Sequence, residues 1–176
     1  GNVAAADKWY RKILKKSPNH VETLHMAGNL ALQTGDFPRA VKLLEKALKI
    51  EPGKSEFIVS LGGAYNGMGA TLLSQGKTEE AAEAFQKAVA VNPEHVEAYN
   101  NLGCLQKNQG RPQEAVESYK KALAVNPDSV VIHKPLIFGR DDGFEEIGRN
   151  IIVFYPFFMN ADRFFFENSF GPSNNH

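Results

Sequence analysis

Small and large apolar residues recur at fixed distances from Pro18, Pro52, Pro93 and Pro127, prolines that are 34, 41 and 34 residues apart. Ala40, Ala81 and Ala115 each lie 12 residues before their proline. Leu44, Phe85 and Tyr119 lie 8 before, and Ala47, Ala88 and Ala122 lie 5 before. Steps of four and three residues keep these positions on one side of an α-helix. Gly35, Gly76 and Gly110, each 17 before, interrupt the pattern and predict a turn. Gly28 and Gly103 lie 24 before their prolines. Each unit therefore reads as two helices joined at the turn glycine. Small residues sit where backbones approach closely, and a large one fills the gap to the neighbouring hairpin. Ser17-Pro18, Asn92-Pro93 and Asn126-Pro127 read as an N-cap with proline at the first helical position, where its missing N–H costs nothing.

On these positions the chain resembles the tetratricopeptide repeat (TPR) family, a 34-residue helix–turn–helix; the best copy is VEAYNNLGCLQKNQGRPQEAVESYKKALAVNP, Val96 to Pro127. The resemblance covers residues 3–127 and implies an all-α solenoid, a right-handed superhelix whose concave face is lined by the first helix of each repeat. It divides the chain into a repeat array, 1–127, and a segment without repeats, 128–176. Two departures matter. AAADKWYRKILKKSP matches only a second helix, with Ala6, Tyr10 and Ile13 at the family positions, so the array is half a repeat plus three full ones. The middle repeat has seven extra residues around YNGMGATLLSQG. Seven residues are nearly two turns and lengthen a helix without rotating its faces. Gly67 and Gly69 each weaken such a helix by about 1 kcal/mol relative to Ala, so a bulge or break competes with that reading.

Composition changes the picture at the C-terminal end. The whole chain has 20 Lys+Arg and 20 Asp+Glu, but residues 1–127 hold 16 and 13, and residues 128–176 hold 4 and 7. Nine of the 12 Phe fall in the second region. The repeat fails there, because Pro135 stands where a first helix should run and proline inside a helix costs about 3 kcal/mol. Phe144, Ile147, Ile151, Phe154 or Tyr155, and Phe158 then recur at helical spacing, which predicts a helix near 143–155 ended by Pro156. The leading expectation is an aromatic-rich C-terminal cap over the open end of the solenoid. Alternatives are a tail crossing a groove, which in a neighbour's groove makes a homodimer, or the start of a further domain. A further alternative is an apolar pocket for a lipid-like molecule built with Phe154, Phe157, Phe158, Phe164, Phe165 and Phe166.

Charge and motifs narrow the chemistry. Zero net charge argues against non-specific nucleic-acid binding. The single cysteine, Cys104, permits no intramolecular disulfide and no cysteine-based zinc site. No run of about 18 apolar residues is long enough to span a bilayer. No secretory signal is visible, and a cytoplasmic location is expected. Gly76-Lys77-Thr78 ends like a phosphate-binding loop, but Thr71 replaces the glycine that motif needs. His20, His25, His95, His133 and His176 form no ligand pattern; His20 and His95 share one repeat position and read as solvated. Asp141-Asp142-Gly143 is turn chemistry with too few oxygens for calcium. Cys104 reads as a small core-like residue, since a reactive thiol needs a cationic neighbour. Lys8, Arg11, Lys12, Lys15 and Lys16 read as a solvated basic face. No catalytic constellation, cofactor or metal is expected.

The groove remains. The resemblance places Glu22, His25, Met26, Asn29, Leu32 and Gln33 on the concave face in the first full repeat. In the second it places Glu56, Val59, Ser60, Gly63, Asn66 and Gly67 there, and in the third Glu97, Asn100, Asn101, Cys104, Lys107 and Asn108. The chaperone-binding type clamps a carboxylate with Lys and Arg, but His25, Asn29, Ser60, Glu97 and Asn101 stand at its positions. The asparagine ladder of the O-linked N-acetylglucosamine transferase type is matched at Asn101 only. Glu22, Glu56 and Glu97 recur at one position, either as an acidic stripe for a basic ligand or as partners of the helix dipole. The asparagines are better candidates, because amides pair with a peptide backbone in both directions. The expected function is non-enzymatic: a scaffold or adaptor holding a peptide or protein segment. The rivals are the apolar small-molecule binder and the repeat portion of a larger enzyme such as a glycosyltransferase.

Overall fold

The computed structural model describes residues 3–127. It consists of α1 (Val3–Lys16), α2 (Val21–Gln33), α3 (Phe37–Ile50), α4 (Ser55–Ser74), α5 (Thr78–Val91), α6 (Val96–Asn108) and α7 (Pro112–Val125), with no strand among the described residues. The tail expectations, including the six candidate phenylalanines, lie outside the described residues.

The predicted turns form for one local reason. Gly35, Gly76 and Gly110 adopt φ of 77°, 76° and 73°, a region open to glycine and strained for most other residues. That kink lets the next N–H turn back to the helix it leaves: Asp36 to the Ala31 carbonyl (2.9 Å), Lys77 to Leu72 (3.0 Å) and Arg111 to Gln106 (2.9 Å). The orphan carbonyls at the helix end are thereby satisfied. Pro38 and Pro112 stand in the first turns of α3 and α7, where no intrahelical N–H bond is lost.

The reading of Ser17-Pro18 and Asn92-Pro93 as helix starts is corrected. Pro18 and Pro93 lie in the preceding turns, and the N-caps of α2 and α6 are His20 and His95. Their Nδ1 atoms accept the Thr23 N–H (3.3 Å) and the Ala98 N–H (3.4 Å). Asn126 follows α7 as its C-cap.

Close approach of first and second helices rests on small–large pairs. A Cβ on Gly28 would stand 2.7 Å from Leu44 Cγ, and one on Gly103 would stand 2.8 Å from the Tyr119 ring. The middle hairpin completes the set with a residue the alignment missed: a Cβ on Gly69 would meet Phe85 at 2.7 Å. Gly69 also lies 24 residues before its proline. Around these pairs Ala40, Leu44, Ala47, Ala81, Phe85, Ala88, Ala115, Tyr119 and Ala122 are buried.

The extra residues lengthen one helix; there is neither bulge nor break. α4 has 20 residues where α2 and α6 have 13 each. Its first half packs backwards: Phe57 clusters with Val21, Leu24 and Ala47, and Leu61, Ala64 and Tyr65 with Ala31, Ala40 and Leu44. Its second half packs forwards, with Leu72 against Ala81, Phe85, Leu102 and Leu105. Gly62 and Gly69, seven residues apart, share a face; a Cβ on Gly62 would meet Asn92 Cβ at 2.9 Å and His95 Cδ2 at 3.1 Å. Two turns of added helix therefore serve as a splint between two repeat registers. At ~1.5 Å per residue the offset along its axis is about 10 Å.

Candidate functional site

The first helices adjoin one another: α2 touches α4, and α4 touches α6. Two side-chain rungs join them. His25 Nε2 lies 3.1 Å from Ser60 Oγ, and the Asn29 amide donates to the same Nε2 (2.9 Å). Asn29 Nδ2 can only donate, so Nε2 accepts, and its one in-plane lone pair is shared between the amide and the Ser60 hydroxyl. The ring is fixed from behind by Phe57, 4.7 Å between centroids. Across the next junction Asn101 Nδ2 donates to Asn66 Oδ1 (2.9 Å). Each rung joins residues 35 apart in sequence, so both junctions use the same pair of positions.

The structure thus brings together His25, Asn29 and Ser60 in one group and Asn66 and Asn101 in another. Asn100 occupies on α6 the position that His25 has on α2; its Oδ1 is buried and meets no donor among the described residues. Gln33, Val59 and Asn108 are exposed, and Lys107 is half-buried. Met26 (53%) and Val59 (59%) are large apolar side chains left open on these helices, and Leu73 near the end of α4 is a third.

The glutamates sit at helix starts beside their own partners. Glu22 lies 3.5 Å from His20 Nδ1, and Glu97 lies 3.2 Å from His95 Nδ1. When His95 Nδ1 carries a proton it donates to Glu97 in place of accepting the Ala98 N–H, and that bond holds the Glu97 carboxyl below its ordinary range, against partial desolvation. Lys54 donates to Glu51 (2.8 Å), a bond that raises its ammonium above the usual value, with Glu22 and Glu56 adding to the field. The stripe is therefore locally answered by histidine and lysine. The solvated reading holds for His20, whose side chain is 50% exposed, and is corrected for His95, whose side chain is only 13% exposed, although both residues cap helices.

Cys104 is half-buried and accepts from the Tyr119 hydroxyl (3.3 Å). Burial, and then the Cys104 contact, push that hydroxyl well above the ordinary tyrosine value. Tyr65 is pushed up likewise by burial and by the Glu45 carboxylate that accepts its hydrogen bond. Among the described residues no group of three or more His, Cys, Asp or Glu could hold a metal ion. No described helix is long and apolar enough to cross a membrane.

A further property of the face escaped the sequence reading. Apart from Glu22, Glu56 and Glu97, every exposed residue of α2, α4 and α6 is uncharged: Met26, Gln33, Ser55, Val59, Thr71, Leu73, Ser74 and Asn108. The second helices carry the charge, as in α3 with Arg39, Lys42, Glu45, Lys46 and Lys49. Adding up charge separately for first and second helices would have found this.

Stacked helical hairpins with small–large seams and a charge-poor row of first helices define the class of helical repeat scaffolds. The chain belongs to the tetratricopeptide repeat family, whose sequence patterns match residues 21–54 and 60–128. Over 91 residues it is 32% identical to the cellulose synthase operon protein C of Pseudomonas fluorescens (strain SBW25), covering 52% of this chain and 7% of that one. Over 92 residues it is 32% identical to the small glutamine-rich tetratricopeptide repeat-containing protein 2 of Mycosarcoma maydis, covering 52% and 24%. The chain thus spans a quarter or less of the length of these relatives. A solved structure of MamA, residue 41 to the end, from Desulfovibrio magneticus RS-1 superposes with a TM-score of 0.50 at 26% identity, covering 72% of this chain and 68% of that one. The array is a protein-interaction scaffold in its general class.

Proposed function

We propose that the chain is a non-enzymatic adaptor that holds an extended segment of another protein against the row formed by α2, α4 and α6. The carrying observation is the chemistry of that row. Its exposed positions beyond the helix starts are amide, hydroxyl or apolar, whereas solvated helix faces are ordinarily rich in charge. Charge is depleted where protein interfaces have their centres, because desolvating an ion costs more than desolvating an amide. Asn29, Asn66 and Asn101 offer carboxamides that can both donate to and accept from a peptide backbone. Met26, Val59 and Leu73 offer apolar area that is otherwise left in water.

The reading is tested by placing a photo-crosslinking residue at Met26 or Leu73 on the row, and at Lys46 on α3 as the control. Crosslinks to a protein segment from the first two sites and none from the third are expected in cells. Equal crosslinking from all three contradicts it.

A further inference from the structure

We propose that the two added turns of α4 determine specificity: they hold two ligand anchors in different registers and set an apolar seat at Val59 between them. The face then selects an extended peptide with one apolar side chain between two backbone-held points. The inference rests on the peptide reading given above.

On α6 the residue that pairs backwards, Asn101, directly follows the residue at the forward-pairing position, Asn100. On α4 the backward partner is Ser60, so Val59 occupies the place of the forward partner. α6 instead meets Asn66, seven residues beyond Val59 on the same face. Val59 is thereby displaced from the seam and left 59% exposed. One turn on, Gly63 has no side chain to cover it, and Leu32 lies 3.6 Å from where a Gly63 Cβ would stand. Val59, Gly63 and Leu32 make a shallow apolar seat.

The anchors flank that seat. The single bond between Asn66 and Asn101 leaves Asn66 Nδ2 as a donor and Asn101 Oδ1 as an acceptor, the complement of a peptide unit. On the other side the Ser60 hydroxyl, level with His25, keeps oxygen lone pairs that can accept a peptide N–H. Ser60 and Asn66 are six residues apart, about 9 Å along the axis at ~1.5 Å per residue. With helices packed ~8–10 Å apart, the diagonal between anchors is about 13 Å. That is about four residues of extended chain at ~3.3 Å each. Side chains alternate along an extended chain, so the residue midway between anchors faces the seat.

The test selects phage-displayed random 16-residue peptides on the full chain. Selected peptides are expected to share an apolar residue and to lose tenfold or more in affinity for Val59→Asp, a change at an exposed site that leaves the thermal melt unaltered. Deleting residues 62–68 restores a 13-residue first helix. It should preserve helicity and cooperative melting while losing the same peptides tenfold or more. Should that deletion fail to fold, Val59→Asp alone decides. Binding by Val59→Asp within twofold of the parent overturns the inference and leaves the peptide reading standing. Selection of no peptide by the parent chain overturns both.

Discussion

The α2–α4 and α4–α6 junctions make the same contact with different chemistry. In the first, an imidazole meets a hydroxyl, His25 with Ser60; in the second, two carboxamides meet, Asn66 with Asn101. Both join residues 35 apart, although α4 lies between them with seven added residues. The difference teaches that the repeat conserves a phase and tolerates a change of length. Seven residues turn an α-helix through about 700°, within 20° of two full turns, so the second junction slides along α4 without rotating about it.

Phase is therefore the variable to break first. Inserting one alanine between Gly63 and Ala64 turns everything beyond it by about 100°, taking Asn66, Gly69 and Leu72 off their partners. The expected outcome is loss of a single cooperative transition in differential scanning calorimetry, while the deletion of residues 62–68 retains one. Equal melting of the two variants would show that phase does not matter.

Next are the large members of the seams. Phe85→Ala should cost about 3–5 kcal/mol and Leu44→Ala about 2–5 kcal/mol in urea unfolding, because both are fully enclosed. Similar losses on the two sides of α4 would show that the splint couples both registers equally.

The glycines sharpen the comparison further. A Cβ on Gly103 meets the buried Tyr119 ring at 2.8 Å and should destabilise by about 1–3 kcal/mol. A Cβ on Gly67 meets the Phe37 ring at 2.2 Å, yet Phe37 is only half-buried and free to swing away. Gly67→Ala should therefore fall within about 1 kcal/mol of the parent, since alanine also favours the helix by about that much. A larger loss for Gly67→Ala than for Gly103→Ala would reverse this account of the seams.

How much was legible in the sequence follows from these same residues. Tyr119 with Gly103 and Leu44 with Gly28 stand at fixed distances from prolines, so the hairpins could be read directly. Gly69 stands at that distance too, but a count forward from the start of the helix reaches Gly62, and the two counts differ by the seven inserted residues. Whether Gly67 and Gly69 broke α4 depended on tertiary support from Phe85 and Phe37, which propensity does not contain. Histidine capping was hidden because His20 and His95 follow prolines that resemble cap signals. The candidate groove residues came from family positions; which of them pair depended on the register step.

The smallest effects concern the polar contacts themselves. Asn66→Ala should cost about 0.5–1.5 kcal/mol, the range of one neutral hydrogen bond, and Ser60→Ala no more than that. At the N-terminal end, Asp7 accepts from Arg39 and from Arg11, and the Arg39 contact is the main cause of its lowered pKa. A carboxylate with a lowered native pKa stabilises above its unfolded value of about 3.9 and loses that contribution as pH falls through its native one. Asp7→Asn should therefore be less stable than the parent at pH 7 and converge with it near pH 2 in thermal melts.

The central claim is that α4 is one unbroken helix joining two registers. The direct measurement is a distance between spin labels at Glu56→Cys and Ser74→Cys in a Cys104→Ser background. The two sites are exposed and 18 residues apart, five full turns, so the labels lie on one side of the helix. A single narrow distribution near ~27 Å is predicted from the rise of ~1.5 Å per residue. A broad distribution, or one centred well below that length, would mean that α4 bends or breaks at its glycines and would contradict the account.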